Sequence, residues 1–213
     1  MNLQNAILGI MIKAVIFDIG NVLLRTTNLE PRRSWEQRLG LPDWGLEQLF
    51  FNSEVGQAAQ VGKASTDDAW AHVLHTLGIN ERELPDLKRD FWAGDTWDHD
   101  LLALIHALKP RYKTGILSNA MPDARTNLKE FINEDLFDVI VFSGEEGIKK
   151  PLAEIYTRVL QRLEVMPAEA VFIDDLPANI KAAGALGIHT IHYTPEQNAG
   201  DVKAALLQLG IVL

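Results

Sequence analysis

The sequence predicts an α/β fold, a doubly wound parallel sheet with a small helical domain inserted into it. Three features of the 213 residues lead to this reading. Short apolar runs end in polar or small residues, helical spacing fills the gaps between the later runs, and a long helical interval separates the first run from the second.

The runs lie at 13–17 (KAVIF), 114–117 (TGIL), 139–142 (VIVF), 170–173 (AVFI) and 189–192 (HTIH). The first four are almost continuously hydrophobic, as strands buried on both faces of a parallel sheet are. Residues 124–132, 151–163 and 177–186 follow the second, third and fourth runs with helical spacing. Pro151 and Pro177 stand where a first helical turn accepts proline, because the missing N–H would have no helical partner there. Gly187 stands where a helix stops. Strands alternating with helices imply right-handed crossovers and helices on both faces of the sheet.

The interval from Thr27 to Trp97 is too long for one crossover helix. Within it, 46–51, 66–77 and 82–92 read as amphipathic helices, and Ser65-Thr66 supplies a capping residue for the second. Trp35, Trp44, Trp70 and Trp92 fall in or near this interval, and such rings more often pack a core than face a ligand. The division expected is an α/β core domain over 11–26 and 98–213, a helical cap domain over 27–97 and an N-terminal extension over 1–10. Residues 98–108 read as the crossover helix into the second strand.

Composition narrows the function. A net charge of −9 leaves no excess of Lys and Arg to displace counterions, which argues against nonspecific nucleic-acid binding. The chain has no cysteine, so disulfides, zinc–thiolate sites and thiol catalysis are excluded. Residues 1–11 have neither a basic start nor an apolar run of membrane-spanning length, so no membrane partner and a cytoplasmic location are expected. Nothing in the sequence speaks to oligomeric state.

Ligands of open parallel sheets bind beyond the carboxyl ends of the strands. Asp18 follows the first strand, Ser118-Asn119 the second, 144–150 with Lys149-Lys150 the third, and Asp174-Asp175 the fourth. A carboxylate, a hydroxyl, a lysine and a carboxylate pair on one edge fit phosphoryl transfer. Carboxylates from two strands can hold Mg2+, a hard cation that prefers oxygen. Asp18 can attack phosphorus, while Ser118, the Asn119 amide and Lys150 neutralise the oxygens that carry charge in the transition state. The histidines offer no serine a triad partner, and His72 and His75, three apart, read as helix surface.

The strings VIFDIGNVL (15–23), ILSNA (116–120), GIKKPLAEIY (147–156) and VFIDDLPANI (171–180) resemble, in order, the four motifs of the haloacid dehalogenase-like hydrolases. The resemblance spans 12–193 and is nearest to the subgroup of bacterial sugar-1-phosphate phosphatases and the N-terminal phosphatase domain of soluble epoxide hydrolases. It implies a strand order of 5-4-1-2-3 and a helical cap inserted after the first strand. It makes Asp18 the nucleophile, Ser118 the phosphate-binding hydroxyl, and Lys150, which directly precedes Pro151, the motif lysine in preference to Lys149. Asp175 becomes a direct ligand of Mg2+ with Asp174 in support, and the Gly20 carbonyl a backbone ligand. Asn179, one helical turn after Asp175, would orient that loop.

The implied activity is magnesium-dependent hydrolysis of a small phosphorylated metabolite, such as a sugar phosphate, through an aspartyl-phosphate. One departure stands out. Most phosphatases of this family carry a second Asp two residues after the nucleophile as general acid and base, and this chain has Gly20. Proton transfer of that kind contributes about 10²–10⁴-fold. Its loss leaves a slow phosphatase, one whose substrate has a good leaving group, or a protein with changed chemistry. Two other readings share the fold: a haloacid dehalogenase, against which the Asp174-Asp175 pair speaks, and a binding member with little turnover. Glu54, Gln57 and Lys63 are placed toward a substrate by position alone.

Overall fold

The computed structural model describes residues 11–129 and 131–213. The extension expected over 1–10 lies outside them. From its start the described chain runs β1 (Ala14–Phe17), β2 (Leu24–Thr26), α1 (Glu30–Arg38), α2 (Glu54–Ala59), α3 (Thr66–Leu77), α4 (Leu84–Trp92) and β3 (Asp95–Trp97). It continues through α5 (His99–Leu108), β4 (Lys113–Ser118), α6 (Ala124–Leu128), β5 (Val139–Phe142) and α7 (Ala153–Leu163). It ends with β6 (Ala170–Asp174), α8 (Pro177–Ala185), β7 (His189–His192) and α9 (Ala199–Gln208).

Five parallel strands form one sheet in the order β5-β4-β1-β6-β7. Counted without β2 and β3, this is the expected 5-4-1-2-3 order. Successive side chains of a strand point to opposite faces, and β1 shows it. Val15 and Phe17 join Leu101, Ile105, Val202 and Leu206 of α5 and α9 on one face. Ala14 and Ile16 join Ile155, Val159 and Leu163 of α7 on the other. Every residue of β1 and β6 is buried, so the central strands hold the edge above them rigidly.

Several elements are not visible in the sequence or differ from what it predicts. β2 and β3 pair antiparallel, Leu24 opposite Trp97 and Thr26 opposite Asp95, as a ribbon at the base of the helical insertion. Their strings, LRT and DTW, are too short for alternation to register. Helix α1 (EPRRSWEQR) is so polar that it shows no apolar stripe. The helix expected over 46–51 is instead a helical turn, Gly45–Glu47, that widens into a π-helical turn over Gln48–Asn52. Helix α3 forms as expected, with Ser65 and Asp68 closing a capping box. The helix expected over 82–92 begins at Leu84, after a 3₁₀ turn. Pro151 lies outside the first turn of its helix, because α7 begins at Ala153. The helix expected over 124–132 stops at Leu128, and the chain turns to bury Ile132.

The helices between the ribbon strands surround their own cluster, with Trp35, Phe50, Trp70, Val73, Leu87 and Phe91, and Met121 enters it from the loop after β4. Trp35 and Trp70 pack as expected, whereas Trp44 and Trp92 are 43% and 41% exposed. Their neighbours on the chain supply the core instead. No helix among the described residues is long and apolar enough to cross a membrane.

Arg32 knits the insertion together. It is 3% exposed, donates from Nε and Nη2 to the Phe91 carbonyl at 3.1 and 2.7 Å, and pairs with Glu47 and with Asp95 of β3. Removing one partner of a buried ion pair costs about 3–5 kcal/mol, and the part-exposure of Glu47 places this one at the lower end. Arg32→Met is expected to lower the free energy of unfolding by about 3 kcal/mol in urea titrations. A loss below about 1 kcal/mol, the range of a surface pair, would contradict this account of the insertion.

Candidate active site

β1 and β6 run level, with Phe17 opposite Ile173, so the next residues, Asp18 and Asp174, come off the sheet as neighbours. The Asp18 amide donates to the Ile173 carbonyl at 2.9 Å, extending the ladder by one bond. Ser118 closes β4 on the other side of β1, two residues beyond Ile116, the partner of Phe17. Asp18, Ser118, Lys150 and Asp174 are all buried. Four distant stretches of sequence thus meet at one end of the sheet.

Lys150 stands between the acids. Its Nζ lies 2.9 Å from Asp18 Oδ1 and 2.6 Å from Asp174 Oδ2. Burial works against the Lys150 ammonium, but the two carboxylates outweigh it and hold it above the ordinary lysine range. Burial pushes the Asp18 carboxyl up to about 7, with the Lys150 charge pulling it down and the Asp174 charge raising it further. One ammonium serves two acids, so Asp18 is left short of positive charge.

The surrounding groups fix this arrangement. Asn119 clasps the Lys150 backbone: its Oδ1 accepts from the Lys150 amide at 2.9 Å and its Nδ2 donates to the Lys150 carbonyl at 3.0 Å. Asp174 Oδ1 accepts from the Leu176 amide at 2.8 Å, and Asn179 Nδ2 donates to both Asp174 oxygens at 2.9 and 3.1 Å. Asn179, expected to orient the Asp175 loop, therefore acts on Asp174. With Lys150, these donors occupy both oxygens of Asp174. Asp175 is half-buried and accepts from Asn21 Nδ2 at 3.0 Å. Burial raises the Asp175 carboxyl, the Asn21 bond lowers it and Asp174 raises it again.

Asp18, Asp174 and Asp175 each offer a carboxylate oxygen within 4.8 Å of the others, a spacing that a single cation can span. The donor set is all oxygen, which fits a hard divalent ion. Gly20 is exposed beside them, and a Cβ built there would meet nothing within 4 Å.

Two side-chain roles leave no trace in the sequence, those of Asn21 and of the Asn119 amide group. Asn21 sits in the left-handed region at φ 56°, which aims its amide at Asp175, and asparagine is among the few residues that tolerate this conformation. The side chain of Asn119 holds Lys150, where only its backbone amide had been assigned a part. Lys149 leaves the site and reaches Gln57 and Gln60 in the helical insertion. Glu54 and Lys63 make no such link among the described residues.

The raised pKa sets a pH dependence in protein stripped of divalent ions. Asp18 binds its proton more tightly folded than unfolded, so folding is favoured at low pH, and that advantage is lost as pH rises from about 4 to about 7. The neutral Asp18→Asn variant lacks this component. In urea titrations with chelator, the variant should gain on the parent between pH 5 and pH 8. An equal pH dependence in both proteins would show that Asp18 is not the strained group.

Residues 12–187 match the haloacid dehalogenase-like hydrolase family. A sesquiterpene phosphatase of Aspergillus oryzae is 30% identical over 184 residues, covering 85% of this chain and 90% of its own length. A phosphorylated carbohydrates phosphatase of Thermotoga maritima is 28% identical, covering 94% of this chain and 92% of its own. Among solved structures, a haloacid dehalogenase family enzyme of Bacteroides thetaiotaomicron, in complex with magnesium and inorganic phosphate, superposes with a TM-score of 0.74 at 21% identity, covering 90% of this chain and 98% of its own. On the family match over most of its length, this chain belongs to the haloacid dehalogenase-like hydrolases.

Proposed function

We propose that the chain is a magnesium-dependent phosphatase of small phosphorylated metabolites, with Asp18 as nucleophile. The observation that carries this reading is the unequal commitment of the three acids. Both oxygens of Asp174 are taken by Lys150, Asn179 and the Leu176 amide. Asp18 Oδ1 is taken by Lys150 and by the Ile19 amide at 2.7 Å. Asp18 Oδ2 has no donor among the described hydrogen bonds, and Asp175 accepts from one other side chain, Asn21, so these two acids keep oxygen lone pairs for a cation and a substrate.

Asp18 and Asp175, with the Gly20 carbonyl, would hold Mg2+, and Asp174 would support the site by keeping Lys150 in place. When bound, the ion shields the phosphate charge and lets an anionic nucleophile approach it. An Asp18 oxygen then forms a bond to phosphorus as the ester P–O bond breaks, and the leaving oxygen takes a proton from solvent. Ser118, the Asn119 amide and Lys150 hold the phosphoryl oxygens during transfer. Water next attacks phosphorus, the Asp18–phosphorus bond breaks, and inorganic phosphate leaves with Asp18 restored.

Gly20 shapes the substrate class. With no carboxyl there to give the leaving oxygen a proton, the chain favours leaving groups that depart as weak bases, such as anomeric sugar phosphates and acyl phosphates. The curated relatives act on phosphorylated carbohydrates and on a sesquiterpene by name, and their phosphate group is the common element. The open space at Gly20 leaves room for the missing acid.

Glucose 1-phosphate, acetyl phosphate and p-nitrophenyl phosphate, assayed with Mg2+ and with chelator, test the reading. Magnesium-dependent release of phosphate is expected from at least one, with a loss of about 10³-fold or more in Asp18→Asn. Gly20→Asp should raise turnover of unactivated alkyl phosphates by about 10-fold or more and leave acyl phosphates little changed. Equal rates with and without Mg2+, or full activity in Asp18→Asn, would sink the proposal. A family member that only binds its ligand would release no phosphate in any arm.

A further inference from the structure

Lys149 is the neighbour of the lysine in the site, yet its side chain goes elsewhere. Its Nζ donates to Gln57 Oε1 and to Gln60 Oε1, the latter at 3.2 Å. Gln57 lies in α2 and Gln60 follows it directly. No salt bridge to Lys149 occurs among the described residues, and both acceptors are neutral amides. Partial burial without an acid lowers the Lys149 ammonium below its ordinary range.

The glutamines are aimed by an irregularity of the backbone. A π-helical turn leaves helix carbonyls without their ordinary partners. Here the Phe51 carbonyl, inside the turn Gln48–Asn52, accepts instead from Gln60 Nε2 at 2.8 Å and from Gln57 Nε2 at 3.3 Å. An amide whose nitrogen donates one way must present its oxygen the other way. Both oxygens thereby face one lysine. On the opposite side, Lys149 is bonded through the chain to Lys150, whose backbone Asn119 clasps and whose ammonium touches Asp18.

The same segment approaches the catalytic loops at two further points. Gly62, at φ +68°, lies so near the Gly144 carbonyl that a Cβ would come within 2.5 Å of that oxygen. Thr66 donates to Asp123. Both contacts are uncharged on the side of the insertion.

We propose that Lys149 is a positioning residue that latches the helical insertion over the catalytic edge, by engaging the paired amide oxygens of Gln57 and Gln60. The choice of neutral acceptors matters. A carboxylate would hold the ammonium shut, whereas two amides release it readily, which suits a cover that opens in each turnover. Because Lys149 and Lys150 are adjacent, engagement of the latch also fixes the loop that carries the site's ammonium. The role in turnover rests on the phosphatase reading, while the latch itself does not.

The test compares the full-length protein with Lys149→Ala, Lys149→Arg, Gln57→Ala and the Lys149→Ala/Gln57→Ala pair. Gln60 is kept, since its bond to the Phe51 carbonyl is the shorter of the two, 2.8 Å against 3.3 Å for Gln57. Amide hydrogen exchange over 57–63 is expected to quicken about tenfold in Lys149→Ala while β6 keeps its protection, and Lys149→Arg should restore it. With whichever phosphate ester the parent hydrolyses, KM should rise about fivefold in Lys149→Ala with kcat within twofold. The effects of the two substitutions should fall short of multiplying, because they share the link from Lys149 to Gln57, although Gln57→Ala also gives up its bonds to Phe51 and Asn52. Unchanged exchange in Lys149→Ala, or effects of the two substitutions that multiply, would overturn the latch. If the parent hydrolyses no ester, the phosphatase reading fails by itself and the exchange comparison still decides the latch.

Discussion

Lys150 shared between Asp18 and Asp174 is the interaction on which the rest of this molecule turns. Two acids and one ammonium, all buried, carry a net negative charge at the end of a sheet whose central strands are fully enclosed. Such an arrangement opposes folding unless more positive charge or a proton is supplied. The surrounding structure is organised to keep it from relaxing. Asn119 holds the Lys150 backbone, Asn179 and the Leu176 amide hold Asp174, and the ladder between β1 and β6 keeps the acids side by side. The uncompensated charge is what would draw in a divalent ion, so the instability of the bare site and its proposed use have one cause.

Much of this was legible in the sequence, because the relevant signals are local. A strand buried on both faces must be continuously apolar, and an acid at its end breaks that run visibly. Asp18 after KAVIF and Asp174 after AVFI are such breaks, and the register of the sheet then places them together. Helix α3 was equally plain, since its cap and stripe lie within one stretch.

What escaped depends on contacts between distant residues. The ribbon of β2 and β3 is three residues on each side and exists only because Leu24 meets Trp97. The polar helix α1 is held by Arg32, whose partners lie 15 to 63 residues away. Asn21 gains its part from a bond to Asp175 across the site. Lys149 looked like the redundant half of a lysine pair, and its place is explained only by two glutamines oriented by a π-helical turn. Backbone irregularities of that kind leave no periodic trace.

A structure of the protein grown with Mg2+ and orthovanadate, a mimic of the transferring phosphoryl group, probes the central claim most directly. The account predicts a single cation about 2.0–2.1 Å from one oxygen of Asp18 and one of Asp175, the oxygen distance this ion demands. Vanadium should face the other Asp18 oxygen, with Lys150 still bridging to Asp174. A cation seated on Asp174 with Lys150 displaced, or vanadate bound away from Asp18, would contradict it.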